Sequence, residues 1–532
     1  MRDFHLPGRS PAYAPEAMAA TSMPAATLAA LDVMRQGGNA MDATIAAAAV
    51  LAVIEPHSTG IGGDCFCLYA PAGSGEVVAL NGSGRAPAAA SMDTFERLGV
   101  SAFEVHSPHT VTVPGAVSAW ETLLKAHGTK GFDELLRPAI RYAEEGFPVH
   151  PRVAHDWEEV LDKLRATGNT QFLPGGGAPA PGDRFRQPAL ASTLRAIARD
   201  GARAFYEGPV AADIVASLRA RGGLHTETDF AEGLHGAEFV RPIHARWRDY
   251  EVWECPPNGS GLLVLMLMGI LGGFDTPAGG PLSLTRVHRH IEAGRLVYRD
   301  RDAFLADPAQ VDVPVARLTS PDYLARLRGL IRDDRAMPAL PAPGEAELPV
   351  HRDTVYLCVV DRDGNACSFI NSLFMSFGSG ILAERSGVML HNRGFSFRLD
   401  RNHPNGIAPR KRPMHTIIPG MLTRDGRAVM PFGVMGGHYQ PMGQSWFLSN
   451  FLEFGLDIQE ALDLPRVLPF QGQVEIERGL PQELVAGLAR LGHVATPILR
   501  PHGGGQAIFI DRARGCLIGG SDPRKDGMAA GY

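Results

Sequence analysis

The chain contains 532 residues, of which 45% are hydrophobic and 20% charged, so it has enough apolar material to bury a large core. Its net charge of −6 argues against nucleic-acid partners, which favour a basic surplus. The longest strongly apolar run, residues 262–271, is about half a membrane span, and residues 1–20 lack the apolar core of a signal peptide. The sequence therefore predicts a cytoplasmic protein that binds neither nucleic acid nor membrane.

The cysteine pattern predicts neither a disulfide framework nor a metal site. The six cysteines are sparse, no Cys-x-x-Cys occurs, and Cys65, Cys67, Cys358 and Cys367 lie in apolar strand-like runs, which favours buried free thiols. The glycine-dense turn at residues 58–64 precedes a strand instead of opening a helix, which argues against dinucleotide binding. We therefore expect no metal and no cofactor.

Two helices are predicted near the N-terminus. Pro24 suits a first helical position, residues 25–35 are rich in Ala, Leu and Met, and the glycines of residues 36–39 end that helix. Residues 40–54 form a second helix with so few polar groups that most of its faces must be buried.

The middle of the chain, residues 110–330, is predicted to be mainly helical, with strands near 237–254. Residues 168–183 are expected to be a mobile surface loop. The charges of the helix at 292–308 are most simply explained as a solvated face. After residue 380 the pattern becomes rich in strands again.

Residues 351–380 predict two apolar strands joined by a turn at 363–365. A proline-rich tract at 337–344 runs almost directly into the first strand, although most strands are entered through a short turn. Cleavage between Asp353 and Thr354 would explain this layout, because the tract would then become a free tail.

Thr354 is the candidate nucleophile. A threonine hydroxyl attacks only when a base takes its proton, and cleavage before Thr354 would supply that base as the residue's own α-amine. An α-amine titrates at about 7.7–8.0, so a useful fraction is neutral at physiological pH. Gly436 and Gly437 follow a predicted strand and can present backbone N–H groups to a tetrahedral oxyanion. The sequence contains no Gly-x-Ser-x-Gly elbow and no His-Glu-x-x-His helix.

Three other polar residues stand at strand or helix ends beside glycine or proline: Arg85, His415 and His438. For Arg85, an anion-binding role and a plain surface role fit the sequence about equally. For each histidine, a packed or solvated side chain is the more common outcome.

Spaced motifs along nearly the whole chain resemble the γ-glutamyltransferases, which are self-cleaving N-terminal-nucleophile hydrolases. The motifs are QGGNAMDA (36–43), EPHSTGIGGD (55–64), VPGAV (113–117), PPNGSG (256–261), the 292–308 helix, DTVYLCVVDRDGNA (353–366), FGSGI (377–381), MGGHYQP (435–441), SDPR (521–524) and a terminal AGY.

This resemblance implies an α+β fold, a four-layer αββα sandwich. It also implies self-cleavage into a large chain, 1–353, and a small chain, 354–532, that together form one structural unit. The two chains would be a heterodimer, which could pair into a dimer of heterodimers. By position, Thr354 resembles the family nucleophile, Ser372 the supporting hydroxyl, and Gly436 with Gly437 the oxyanion hole.

The positions that contact the glutamyl α-amino acid in the family are changed here. Ser83 stands where an arginine holds the glutamyl carboxylate, with Arg85 two residues later. Ser396 and Phe374 replace an acid and an asparagine that bind the α-amine, and His415 and Thr416 replace a pair of serines. Loss of charged contacts to a buried ionic group rejects a substrate by orders of magnitude. We therefore expect the protein not to use glutathione as a typical member does.

The replacement set of Arg85, Arg393, His415 and His438 is cationic or neutral and suits an amide that bears a carboxylate but no amine. The motif His-Asn-Arg-Gly-x-x-Phe (391–397), together with Arg-Pro-Met-His-Thr-Ile-Ile-Pro (412–419), resembles the γ-glutamyltransferase-like branch that includes oxamate amidohydrolase. Cephalosporin acylases that remove a glutaryl side chain fit as well, and the sequence does not rank the two. The expected partners are thus a small amide substrate and water. Glutamyl transfer and a non-catalytic relative remain the alternatives.

Overall fold

The structure is a computed structural model that describes residues 8–340 and 354–532. The strands are, in chain order, β1 (Ala12–Ala14), β2 (Met18–Thr21), β3 (Asp64–Ala70), β4 (Val78–Gly82), β5 (Phe147–Pro148), β6 (Arg184–Phe185), β7 (Glu238–Val240), β8 (Ile243–Trp247), β9 (Tyr250–Glu254), β10 (Val355–Val360), β11 (Ala366–Ser372), β12 (Leu382–Ala383), β13 (Val388–Met389), β14 (Gly420–Arg424), β15 (Arg427–Met435), β16 (Val467–Phe470), β17 (Gln473–Ile476), β18 (Ala495–Pro497), β19 (Gly504–Asp511), β20 (Cys516–Ser521) and β21 (Met528–Gly531).

The α-helices are α1 (Pro24–Arg35), α2 (Ala40–Ile54), α3 (Met92–Arg97), α4 (Ala116–His127), α5 (Phe132–Leu135), α6 (Arg137–Glu145), α7 (Pro151–Glu158), α8 (Leu161–Ala166), α9 (Pro188–Asp200), α10 (Arg203–Tyr206), α11 (Pro209–Arg219), α12 (Glu227–Gly233), α13 (Gly261–Leu271), α14 (Leu284–Phe304), α15 (Val315–Leu318), α16 (Pro321–Leu330), α17 (Gln440–Leu452), α18 (Ile458–Asp463) and α19 (Gln482–Arg490). Short 3₁₀ helices cover Pro108–Thr110, Pro174–Gly176, Arg393–Ser396 and Gly437–Tyr439.

Two seven-stranded antiparallel sheets form the centre of the fold. Sheet I has the strand order β21-β2-β10-β11-β3-β4-β7, and sheet II has the order β1-β20-β19-β15-β14-β9-β8. Both sheets combine strands from before and after the undescribed residues 341–353. Strands β10 and β11, which follow that gap, lie in the middle of sheet I between β2 and β3.

The side chains of β10 alternate between two core layers, as the period of a strand requires. Val355 and Leu357 pack with helical residues in the layer outside sheet I, whereas Tyr356 and Cys358 pack between the two sheets. Outside sheet II, Phe432 packs with residues of α13 and α17. These layers confirm the predicted four-layer αββα sandwich.

The predicted N-terminal helices are confirmed as α1 and α2. Asn39 caps α2 by accepting hydrogen bonds from the N–H groups of Met41 and Asp42, and the Asp42 carboxylate accepts the Asn39 N–H in return. All fifteen residues of α2 are buried. The helix lies against α1 and β10, where its many alanines allow close approach.

The prediction that the charges of the helix at 292–308 form a solvated face is wrong. Helix α14 buries most of its charged side chains inside the fold, and several of them form ion pairs there. Arg295 donates to the fully buried Glu292, and Arg299 donates to the buried Asp300. Sequence periodicity does not reveal such pairs, since a charged stripe facing solvent and a paired stripe facing protein look alike.

The thiols are buried as predicted, apart from the partly exposed Cys516. Cys67 and Cys367 lie on adjacent strands with their sulfur atoms 3.6 Å apart. Within residues 8–340 and 354–532, no helix has both the length and the apolar character needed to cross a bilayer.

Candidate active site

Three polar residues form a row across three adjacent strands at one end of sheet I. Ser372 at the end of β11 pairs with Asp64 at the start of β3, and Thr354 directly precedes Val355, which pairs with Asn371. All three members of the row are buried. The antiparallel register therefore brings together a threonine, a serine and an aspartate that are distant in sequence. Asp353, the other side of the predicted cleavage bond, lies outside the described residues.

The hydroxyl oxygens of Thr354 and Ser372 are 3.1 Å apart, within hydrogen-bond distance. The Ser372 hydroxyl also accepts a hydrogen bond from the Phe374 N–H at 2.9 Å. Because this N–H and Arg393 Nη2 both donate to Ser372 Oγ, the two acceptor sites of the serine hydroxyl are filled and its proton is available to Thr354. The predicted pairing of Ser372 with Thr354 thus exists as a contact.

Gly436 and Gly437 lie where β15 of sheet II ends. Gly436 has φ of 118°, and a Cβ atom there would lie 2.7 Å from the Cα of Gly503. Only glycine fits both the backbone angle and the space. Gly437 begins the 3₁₀ helix that leads into α17. The two sheets are in close contact nearby, because the ring of Tyr356 rests on Gly433.

Arg393 supplies a fully buried cation next to the hydroxyl pair. Its Nη2 donates to Ser372 Oγ at 3.4 Å, and its Nη1 donates to Thr416 Oγ1 at 2.9 Å. The Phe374 ring covers the guanidinium, with the central carbon 4.1 Å from the ring centroid. Burial lowers the pKa of Arg393 to about 9 against the opposing effect of Asp64, so the side chain stays cationic at neutral pH.

Asp64 gathers three basic side chains at its carboxylate, and we refer to Asp64, His391, Arg393 and His415 as the Asp64 cluster. Its Oδ2 lies 2.9 Å from His415 Nε2, 3.4 Å from His391 Nδ1 and 3.9 Å from Arg393 Nε. Its Oδ1 accepts backbone N–H groups from Gly84 and Gly115. Every side chain of the cluster is buried.

The protonation of the Asp64 cluster follows from these contacts. Burial, assisted by Arg393, lowers the pKa of His415 to about 3, so His415 is neutral and donates its Nε2 proton to Asp64. Burial alone would raise the pKa of Asp64, but His391 and His415 hold that pKa below its usual range. Asp64 is therefore a carboxylate.

A buried asparagine joins the loops around the cluster. Asn258 Nδ2 donates to Ser83 Oγ at 3.0 Å and to the Pro413 carbonyl at 2.7 Å, while Asn258 Oδ1 accepts from Asn81. The Asn258 carbonyl accepts the His415 N–H at 2.8 Å. These bonds fix the loop that carries His415 and Thr416.

Arg85 and His438 contact residues other than Arg393 and its partners. The Arg85 guanidinium lies 3.7 Å from Asp307 and 3.8 Å from Glu238, so it faces two acids. His438 accepts a hydrogen bond on Nδ1 from Arg301 at 2.9 Å. The two residues remain predicted substrate contacts, and neither contacts Arg393, His415 or Thr416 in the described part of the chain.

Two of the altered family positions are occupied by internal contacts. The Ser396 hydroxyl donates to the Met414 carbonyl at 2.7 Å and lies 3.0 Å from the Arg393 carbonyl oxygen. Phe374 has φ of 77° and covers Arg393, as described above. Neither side chain carries a charge that would attract an ammonium group.

Sequence reasoning did not single out Asp64 or His391. Asp64 is the last residue of the EPHSTGIGGD motif and His391 is the first residue of the His-Asn-Arg-Gly-x-x-Phe motif, so their positions within recognised motifs were the available signal. What the sequence does not reveal is that β3 and the loop after β13 place both residues on one carboxylate-centred cluster.

The chain is similar to one protein family over nearly its whole length. A family model described as gamma-glutamyltranspeptidase matches residues 26–532. The glutathione hydrolase-like YwrD proenzyme of Bacillus subtilis is 36% identical and the oxamate amidohydrolase proenzyme of Klebsiella pneumoniae is 35% identical, with coverage of 94–97% of either chain. Cephalosporin acylase from Bacillus halodurans has a similar crystal structure, with a TM-score of 0.92, 39% identity and coverage of 100% of this chain and 99% of that one.

Proposed function

The chain belongs to the gamma-glutamyltranspeptidase family and is an amide hydrolase, and on this premise we propose that Thr354 is its nucleophile after self-cleavage. The proposed substrate is a short amide that carries a carboxylate and no α-amine, such as oxamate. The observation that carries this proposal is the buried Arg393 cation, which donates to the serine hydroxyl paired with Thr354.

The position of Arg393 supports a short acyl group. Its Nη2 and Thr354 Oγ1 both contact Ser372 Oγ, so they are at most about two hydrogen-bond lengths apart. A carboxylate held on the outward N–H groups of Arg393 would then lie only a few bonds from a carbonyl carbon attacked by Thr354. In oxamate the carboxylate and the amide carbon are directly bonded.

The proposed reaction follows the usual course of acyl transfer. The α-amine of Thr354 takes the proton of its own hydroxyl, and the oxygen attacks the amide carbon. The N–H groups of Gly436 and Gly437 stabilise the oxyanion. The α-amine of Thr354 then passes the proton to the amide nitrogen of the substrate, which leaves as ammonia or an amine, and an ester to Thr354 remains. Water attacks this ester and releases the acid. Ser372 donates its hydrogen bond to Thr354 Oγ1 and keeps the nucleophile oriented.

The contacts of Ser396 and Phe374 support the rejection of γ-glutamyl substrates. A glutamyl α-ammonium would need a carboxylate or amide acceptor, and these two positions offer a hydroxyl bound to backbone and an aromatic ring. Burying an unpaired ammonium group costs several kcal/mol of binding free energy, which lowers kcat/KM for the γ-glutamyl substrate by at least about two orders of magnitude.

A second candidate is an acylase that removes a dicarboxylic acyl group such as glutaryl. The similarity to cephalosporin acylase from Bacillus halodurans favours this reading. Such a group also carries a carboxylate and no amine, but its chain would have to fold back to reach both Arg393 and Thr354.

Self-cleavage is tested by denaturing electrophoresis of purified protein. Two bands, near two-thirds and one-third of the mass, are expected, and N-terminal sequencing of the smaller band should begin Thr-Val-Tyr. The Thr354→Ala variant should stay a single inactive chain, while Thr354→Ser, which keeps a hydroxyl, should retain some cleavage. Cleavage and turnover by Thr354→Ala would refute the assignment.

Substrate class is tested with the processed protein on oxamate, a glutaryl anilide and a γ-glutamyl anilide, the last with and without glycylglycine. Release of ammonia from oxamate with little release of aniline is expected. Fast hydrolysis of the glutaryl compound would favour the acylase. Strong transfer from the γ-glutamyl compound to glycylglycine would overturn the proposed pocket.

A further inference from the structure

Asp64 is the residue through which the buried basic groups of the site are held together. Its carboxylate is the shared partner of His391, Arg393 and His415, and two backbone N–H groups fix it from the other side. Among the described residues, its carboxylate has no hydrogen bond to Thr354 or to Nη1 and Nη2 of Arg393. Any effect of Asp64 on the reaction must therefore act through its neighbours.

Arg393 depends on Asp64 for its charge balance. The titratable groups that face it are Asp64, His391 and His415, together with the α-amine that cleavage would expose at Thr354. Asp64 is the only acid among them in the described residues. His415 is neutral, so without Asp64 the guanidinium would be a buried cation with no counter-charge, which is strongly unfavourable.

Asp64 also helps to hold the guanidinium in its direction. Its Oδ2 lies 3.9 Å from Nε, too far for a hydrogen bond, but its hydrogen bond from His415 holds the loop on which Thr416 accepts from Nη1. Ser372 accepts from Nη2. With the Phe374 ring on one face, these contacts leave one N–H on each Nη without an acceptor among the described residues. A planar pair of donors matches a carboxylate.

We propose that Asp64 is a positioning residue that keeps Arg393 oriented to bind the substrate carboxylate, and that it thereby sets the specificity of the site for anionic amides. This inference rests on the proposed function, because it takes Arg393 as the carboxylate anchor. After cleavage, Asp64 would belong to the large chain, whereas Arg393, His391 and His415 would belong to the small chain. A residue of the large chain would therefore orient the arginine of the small chain that binds the substrate carboxylate.

The main test is Asp64→Asn. The amide keeps the size of the carboxylate and can still accept from Gly84 and Gly115, but its N–H₂ group then faces the N–H groups of His415 and Arg393. The KM for oxamate should rise by roughly 10- to 100-fold, and the basic limb of the kcat/KM profile should move to lower pH. Hydrolysis of oxamide, the uncharged counterpart, should change by less than about threefold.

A matched control is Asp213→Asn. Asp213 is also a buried aspartate that accepts a backbone N–H and pairs with an arginine of the small chain, Arg385, but it lies outside the Asp64 cluster. This variant should leave the oxamate-to-oxamide preference unchanged. If Asp64→Asn does not fold, Asp64→Glu displaces the charge by one methylene, and the same preference should fall.

Calorimetric titration with oxalate and with glutarate tests the carboxylate site at Arg393 and the role of Asp64 separately. If the wild type binds neither anion, the carboxylate site itself is wrong. If the wild type binds one of them and Asp64→Asn binds it equally well, with the same oxamate-to-oxamide preference, only the role of Asp64 is refuted. Weaker binding by the Asp64 variants, with normal binding by Asp213→Asn, would support the proposal.

Discussion

Replacement of Arg393 by glutamine is the sharpest test of how the site selects its substrate. The guanidinium has five N–H donors, of which Nη1 and Nη2 each use one on the protein. A carboxylate bound to the other N–H of each would make two charge-assisted hydrogen bonds of about 1.5–3 kcal/mol apiece. Their loss corresponds to a fall of roughly 10²- to 10⁴-fold in kcat/KM.

The assay compares oxamate with oxamide, because both release ammonia and they differ only in the carboxylate. In Arg393→Gln, kcat/KM for oxamate should fall by roughly 10²- to 10⁴-fold, whereas kcat/KM for oxamide should stay close to the wild-type value. Asp64 should tolerate the change, since His391, His415 and two backbone N–H groups still hold it. Self-cleavage requires no external carboxylate and should continue, which gives an internal check on folding.

Thr416→Val supplies a graded comparison. It removes the acceptor of Arg393 Nη1 and keeps the charge, so the loss on oxamate should be nearer to tenfold, the value of about one hydrogen bond. An equal loss on oxamate and oxamide in Arg393→Gln would refute the reasoning, because it would show that Arg393 serves the fold or the chemistry rather than the carboxylate.

Three further predictions concern other parts of the molecule. Gly436→Ala should lower kcat by roughly 10²- to 10³-fold, since the added Cβ meets Gly503 and shifts the oxyanion donors, while Gly426→Ala, at a positive φ with open space, should keep full kcat. Ser372→Ala should reduce kcat and Ser372→Thr should restore it; equal kcat for both would remove the serine from the mechanism. Burial raises the pKa of Glu254, and neither of its oxygens has a hydrogen-bond partner in the described residues, so the folded state holds a proton that the unfolded state releases above about pH 4.3. Stability should then fall with rising pH, by at most about 1.4 kcal/mol per unit while the folded carboxyl stays protonated, and the gap in Tm between Glu254→Gln and wild type should widen from pH 5.5 to 7.5; parallel curves would contradict this.

The sequence predicted the elements whose signals are local. Helix α2 could be recognised because a run of apolar residues follows Asn39. The hydroxyl pair could be placed because Thr354 lies in a motif and the family resemblance assigns Ser372 as its supporting hydroxyl. The burial of the charges on α14 could not be recognised, because the ion pairs lie within the helix but the residues that cover them, such as Tyr323 beside Asp300 and His438 beside Arg301, come from other elements.

The same limit applied inside the site. Arg393 was singled out from its motif, but the acid that faces it, Asp64, is more than three hundred residues earlier and becomes its neighbour only where the fold brings β3 against the 3₁₀ helix that follows β13. Arg85 has a suitable charge in a suitable loop, yet its guanidinium faces Asp307 and Glu238. Sequence indicates which groups are present at a strand end, and side-chain direction is decided by contacts that form only on folding.

The arrangement of sheet I has a consequence for the lifetime of the protein. The middle strands β10 and β11 come from the segment after the predicted cleavage point, and their neighbours β2 and β3 come from the segment before it. Before cleavage these pairings form within one molecule, whereas afterwards they would have to form between two, with a cost that depends on concentration. A cleaved molecule that unfolds would thus face a bimolecular search through aggregation-prone strands, so its durability would be governed by how slowly it opens rather than by any equilibrium with the unfolded chains.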